Sequence, residues 1–268
     1  MKRLQTKCPK CFKSRFWKTK DGRLKCKNCR YIFTNKHNFA NIENKILKQI
    51  ISEFILEHST NIILERVNIS KYKLLKILNL FRIKITNDRL EIFEGTVEVD
   101  ETYMGGQMKN KRLSKRFELK QKGNGKQQSG FNTIKQPIFG ILCRSGKVWA
   151  TLIDKTEAKD LQPIIQKQVK KGSTICSDSW RAYTGIAQKG YVHRTVNHGK
   201  KEYSDKKGNH INGLEGFWGY LKRKLSARGG IRKEKLNLYL GEYVWRYNHK
   251  NLNLKERENL LFKLIIKD

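Results

Sequence analysis

Three acidic positions stand out in a chain that is otherwise short of acid. Asp100 ends the alternating, β-branched run Thr96-Val-Glu-Val-Asp100, and Asp178 follows the short apolar run Ser173-Thr-Ile-Cys176. Glu215 opens a segment of helical periodicity that continues to Lys222. Cutting and rejoining a phosphodiester calls for two divalent cations about 4 Å apart, one on the attacking oxygen and one on the leaving oxygen. Hard cations such as Mg²⁺ or Mn²⁺ take oxygen ligands, so a cluster of carboxylates is the donor set that chemistry needs. Carboxylates pressed together without cations disfavour one another's ionisation. Each residue also has a plainer use: an Asp after a strand is ordinarily a turn or cap residue, and Asp178 has a helix-like segment, 180–186, to cap. Glu98 and Glu101 flank Asp100 and are expected to point to the opposite face of the strand. Glu215, Asn212, Gly219 and Lys222 share one helical face, Glu215 and Lys222 being two turns apart.

A second chemistry is written in the cysteines. Cys8-Pro-Lys-Cys11 and Cys26-Lys-Asn-Cys29 are two C-x2-C knuckles with 14 residues between them. Two such turns facing each other complete a tetrahedral thiolate site for structural Zn²⁺. Short strands around Asp21-Gly22 make the unit a zinc ribbon over 1–36. So small a unit has little apolar core, so its metal should carry most of its folding free energy. Cys143 and Cys176 stand alone in apolar segments and read as buried small hydrophobes.

The elements that must position these groups divide the chain further. Apolar residues at helical spacing from Ile42 to Ile55, a start at Ser59/Thr60, and a third helix capped by Ser70 and running from Lys71 to Arg82 give a helical unit over 40–90. Two short helices joined by a tight turn, the latter bearing Lys71, Lys73, Lys76 and Arg82, have the layout of a helix-turn-helix whose last helix enters a DNA major groove. A plain three-helix linker has the same periodicity. From 93 to 268 the order is strand, hairpin, helix, strand, helix, strand, helix, which defines an α/β domain with a mixed sheet and flanking helices. A Lys- and Gly-rich insertion at 107–136 reads as a flexible basic loop beside the carboxylates. The segment 236–248 is expected to cover the sheet, with Phe217 and Trp218 as core anchors of the preceding helix.

Net charge narrows the partner. Fifty-eight Lys+Arg against 24 Asp+Glu give +34, and a polyanion such as double-stranded DNA relieves that self-repulsion. No apolar run reaches the ~18 residues of a membrane span and no signal-peptide core opens the chain, so a cytoplasmic, nucleoid-associated protein is expected.

Three segments carry a resemblance. Val97-Glu-Val-Asp100-Glu-Thr-Tyr-Met-Gly-Gly106, Ser177-Asp178-Ser-Trp-Arg-Ala-Tyr183 and His210-Ile-Asn-Gly-Leu-Glu-Gly-Phe-Trp-Gly-Tyr-Leu-Lys222 look like the three signatures of bacterial insertion-sequence transposases. The chain resembles the ISXO-like group, whose members often carry an N-terminal zinc ribbon. The resemblance implies an RNase H-like fold and a DDE-type active site using Mg²⁺ or Mn²⁺. It also implies cleavage and strand transfer at terminal inverted repeats, with a homodimer or larger assembly on transposon ends and target DNA. On that basis Asp100 and Asp178 correspond to the two aspartates and Lys222 to the basic residue that contacts DNA near the cut. Glu215 corresponds to the third ligand, and Asn212 competes with it because some members carry Asn. A non-catalytic DNA-binding regulator of the same fold is the competing function.

Overall fold

The computed structural model describes residues 8, 10–11, 13–20, 23–33, 42–88, 92–105, 112–122, 135–196 and 212–266. The chain forms two compact units, 1–81 together with 253–268, and 82–252.

In the first unit, β1 (Phe16–Lys18), β2 (Leu24–Cys26) and β3 (Ile32–Phe33) make an antiparallel three-stranded ribbon beside the cysteines. The Asp21-Gly22 turn lies outside the described residues. Helix α1 (Asn44–Ile55) buries Leu47, Ile50, Ile51, Phe54 and Ile55, the 3.6-period stripe of the sequence. Helix α2 (Thr60–Arg66) starts at Ser59, whose hydroxyl accepts the Ile62 backbone N–H. Helix α3 (Lys71–Asn87) starts at Ser70, whose hydroxyl accepts from Lys73, and it continues five residues past the expected end at Arg82. Phe54 of α1 meets Phe81 of α3 edge to face at 5.5 Å. The last helix, α8 (Leu254–Ile266), closes on α1, with Lys48 over the Phe262 ring. A division at 93 placed this helix with the sheet; burial against a partner some two hundred residues earlier leaves no mark on local periodicity.

The second unit holds a five-stranded mixed sheet in the order β6-β5-β4-β7-β8, built from β4 (Thr96–Met104), β5 (Gln136–Cys143), β6 (Val148–Leu152), β7 (Thr174–Asp178) and β8 (Val192–Val196). The first three strands meander antiparallel, while β7 and β8 add in parallel on the other side of β4. This is the mixed sheet with flanking helices that the order of elements predicts. Helix α5 (Ala158–Gln168) covers one face with Val97, Val99, Phe139, Ile141 and Ile175. Helices α6 (Asn212–Ser226) and α7 (Leu236–Asn248) cover the other, with Ile138, Leu142, Leu214, Phe217, Trp218, Leu240 and Tyr243. Burial on both faces explains why β5 reads as a near-continuous apolar run.

Two local expectations change. Part of the insertion at 107–136 is a helix, α4 (Leu113–Lys122), and Gln136 already belongs to β5. Between β7 and β8 the chain makes two short 3-10 turns, Arg181–Tyr183 and Ala187–Lys189, instead of one α-helix. Cys143 and Cys176 are buried as expected.

Candidate active site

Strand β4 carries acid on both of its faces. Glu98 and Asp100 point toward α6, as does every second residue of the strand, whereas Glu101 points toward the α5 side. Glu98 therefore does not lie opposite Asp100; two positions along a strand is one full period. It is 1% exposed and its carboxylate accepts the Leu214 backbone N–H at 2.8 Å. That group is one of the donors an α-helix leaves unpaired in its first turn, and the negative charge suits the positive end of α6. The approach is close: a Cβ at 213 would lie 3.0 Å from Glu98 Oε2, so a side chain there would need the carboxylate to give by a few tenths of an ångström.

Asp100 is set against its partners by sheet register. It pairs with Gly140 across β4–β5. On the other side, parallel pairing runs to Glu98↔Cys176, and two further residues at that register bring Asp100 level with Asp178. Asp178 thus ends β7, whereas Asp100 lies in the middle of β4, which runs four residues beyond it. Asp178 Oδ1 accepts the Trp180 backbone N–H at 2.9 Å, the turn-forming use of an Asp after a strand. The Trp180 indole is tied to the Thr156 carbonyl at 3.0 Å. Burial pushes the Asp100 carboxyl up to about 6; the Trp218 indole and the Glu101 backbone N–H oppose that rise, and the charges of Asp178 and Glu215 add to it. Asp178 and Glu215 therefore both lie within electrostatic reach of Asp100. Glu215 and Asn212 are exposed on the first turns of α6, and Lys222 is exposed two turns further along.

On the far face, Glu101 is pushed up to about 8, chiefly by burial, with Asp100 and Asp178 adding and the Tyr183 hydroxyl opposing. Tyr183 donates to Glu101 Oε1 at 2.5 Å. The site is thus a run of carboxylates that repel one another around Asp100. A divalent cation relieves such repulsion, and the oxygen donors match Mg²⁺ or Mn²⁺. Among the described residues, the set whose ligand atoms already lie within 4.8 Å of one another is Cys8, Cys11, Cys26 and Cys29. Cys8 Sγ and Cys29 Sγ are 3.5 Å apart, as are Cys11 Sγ and Cys26 Sγ. A Zn–S tetrahedron has edges of roughly 3.8 Å, so this cluster fits a zinc ribbon. The Lys13 backbone N–H draws the Cys11 thiol down to about 6, toward the thiolate a metal requires.

On α3, Lys71 and Lys76 are exposed and Lys73 is half-buried. Between the two exposed lysines, on the same face, stand Tyr72 at 79% and Leu75 at 48% exposure, which charge counting overlooks. Lys200, Lys201, Lys206 and Lys207, a basic stretch before the third signature, and the signature residues His210 and Ile211 lie outside the described residues.

The family defined by an ISXO2-like transposase domain matches residues 92–248, the segment that contains the sheet, both aspartates, α6 and α7. The chain belongs to this family of transposases. An uncharacterized transposase-like protein of Haemophilus influenzae (strain ATCC 51907 / DSM 11121 / KW20 / Rd) is 33% identical over 119 residues, 44% of this chain and 94% of that protein. The crystal structure of the catalytic core domain of BIV integrase is similar over 60% of this chain and 87% of that one, at 16% identity and a TM-score of 0.37. No helix among the described residues is long and apolar enough to cross a membrane.

Proposed function

We propose that this protein is a DDE-type DNA transposase that binds the terminal inverted repeats of an insertion sequence, cuts strands beside them and joins the ends to target DNA. What supports the reading is the parallel register of β4 and β7, which carried two residues further brings Asp100 level with Asp178, together with the charges of Asp178 and Glu215 that act on Asp100. These three carboxylates would hold a pair of Mg²⁺ or Mn²⁺ ions, which activate the attacking oxygen and stabilise the leaving one. The protein's own part is placement. Sheet register sets the two aspartates, Glu98 anchors the start of α6, and α6 presents Glu215 and, two turns on, Lys222 toward the phosphates. Glu215 is the third ligand in preference to Asn212, since a carboxylate binds a hard cation better than an amide.

The DNA-binding part falls to the ribbon and to α3, where Lys71, Lys73 and Lys76 contact phosphates and Tyr72 and Leu75 offer apolar surface to thymine methyl groups. Two transposon ends must be joined, so the active form is a homodimer or larger assembly on double-stranded DNA.

The test is incubation of end-labelled inverted-repeat DNA with Mg²⁺. Wild type nicks the strand and Asp178→Ala does not; Glu215→Gln abolishes cleavage while Asn212→Ala only weakens it. Nicking that survives in Asp178→Ala removes the catalytic reading and leaves a DNA-binding protein, and the reverse ranking of Glu215 and Asn212 exchanges their roles. At the ribbon, purified protein should contain about one Zn²⁺ per chain by this ligand count, and Cys26→Ser should lose the ion together with ribbon structure. A ribbon that stays folded and metal-free by NMR removes the zinc assignment.

A further inference from the structure

Trp218 reads from sequence as a core anchor, and it is buried at 4% exposure beside Phe217, the two ring centres 5.1 Å apart. Its polar atom has a more particular place. The indole Nε1 donates to Asp100 Oδ2 at 2.9 Å. The ring reaches that carboxylate over Gly140, the residue paired with Asp100 across β4–β5. A Cβ at 140 would lie 2.6 Å from both Cζ2 and Cη2 of Trp218 and 3.1 Å from Leu214 Cδ1, so any side chain there displaces the indole. Gly140 has no turn to make inside a regular strand; what it leaves is a slot of the shape and depth of this ring.

We propose that Trp218 is the positioning residue of Asp100: seated in the Gly140 slot, its N–H fixes the carboxylate so that the other oxygen, Oδ1, faces the divalent cation. The proposal rests on the carboxylate reading of the site. An indole N–H suits the task because it only donates. It cannot ligate the cation or shuttle protons, and it adds no positive charge to compete with the metal. A lysine or arginine at this place would satisfy Asp100 and weaken its hold on Mg²⁺ at once. One helix then performs both duties, since Glu215 and Trp218 are three residues apart on α6 and neighbours on its surface. Docking α6 sets the orientation of Asp100 in the same step that delivers the third carboxylate.

The experiment uses the full chain and Mn²⁺ alone, with the free ion followed by electron paramagnetic resonance, alongside Mn²⁺-dependent nicking of inverted-repeat DNA. Trp218→Phe keeps the ring and removes the donor. It should weaken Mn²⁺ binding about tenfold or more, the usual effect of losing a partner behind a metal ligand. The Mn²⁺ concentration for half-maximal nicking should rise by the same factor, with the KM for DNA and the zinc content unchanged. Gly140→Ala keeps the donor and displaces it, and should move both readouts in the same direction; it decides the matter if Trp218→Phe does not fold by circular dichroism. Asp100→Asn is the reference that loses the ion. Should Asp100→Asn lose Mn²⁺ while both other variants bind it as wild type does, whatever their melting temperatures, Trp218 is only a core residue and the proposal fails. Should wild type and Asp100→Asn bind Mn²⁺ equally, the carboxylate reading fails and takes the proposal with it.

Discussion

Asp100→Asn should abolish strand cleavage and at the same time stabilise the protein in the absence of Mg²⁺. The loss of cleavage follows from removing a metal-facing charge: metal stabilisation of a phosphoryl transition state is worth several kcal/mol, or roughly a thousandfold in rate or more. The gain in stability follows from the electrostatics of the site without its ions. Burial first, then the charges of Asp178 and Glu215, push Asp100 from an ordinary value of 3.8 up to about 6. A carboxyl raised in the folded state favours folding while it is protonated, below its unfolded pKa, and that advantage is lost as pH climbs through the folded value. From pH 4 to pH 6 the wild type should therefore lose up to about 3 kcal/mol that the neutral, isosteric amide keeps. Asparagine still offers an oxygen to the Trp218 indole, so packing is preserved. Urea denaturation of both proteins across pH 4–8, without added divalent ion, reads the difference. Equal stability at pH 4 and a gap that opens by pH 7 is the expected pattern; curves that stay superimposed show that Asp100 is not held in a repulsive cluster. Added Mn²⁺ should raise the melting temperature of wild type and leave Asp100→Asn unmoved.

How much of this site the sequence discloses depends on the range of the interaction. Asp178 is legible because the end of a short apolar strand is a short-range property, whereas Asp100, expected at the end of its strand, stands in the middle of β4, which continues to Met104. Their level placement is not legible, since β4 and β7 are almost eighty residues apart and only the parallel register sets them side by side. Glu98 is a different case. Period two puts it on the same face as Asp100, not the opposite face expected for it; its role as anchor of α6 is not legible, because its partner Leu214 is 116 positions away. Gly140 looks like a weak point in an apolar strand until the Trp218 ring is seen to fill its slot. The helix α4 escaped detection because its residues are mostly polar and a Lys-rich segment between glycines has the composition of a loop. The apolar stripe of α1, by contrast, is legible because its own spacing fixes it, whereas Leu75 of α3, whose spacing puts it inward with Leu74, Ile77, Leu78 and Phe81, is exposed.

The largest stability effect in the catalytic unit should come from a residue with no part in the chemistry. Glu242, in the middle of α7, is fully buried, an unfavourable place for a carboxylate unless it is paired. Arg82 Nε lies 2.6 Å from one of its oxygens, Arg246 Nε lies 3.0 Å from the other, and Arg228 approaches at 3.7 Å. The Arg82 guanidinium also lies over the Tyr239 ring at 4.2 Å. Burial alone would push Glu242 up; Arg246, Arg82 and Arg228 overcome it and hold the carboxyl below the usual range. Glu242→Ala therefore does more than delete an ion pair: it leaves guanidinium groups facing one another out of water. Removing one partner from such a buried set costs about 3–5 kcal/mol, or roughly 6–20 °C of melting temperature for a unit of this size. The pH dependence runs opposite to that of Asp100. A carboxyl lowered in the folded state contributes above its unfolded pKa and loses that contribution as pH falls through the folded value. Glu242→Gln should thus be destabilised across neutral pH and should lack the acid-side loss of stability that wild type shows below about pH 4. Calorimetry at pH 7 and pH 3.5 separates the outcomes. A melting temperature at pH 7 within a degree or two of wild type would mean that α7 is held by its apolar face alone. The variant that remains folded at low temperature should still bind Mn²⁺, which sets the scaffold's stability apart from the site it carries.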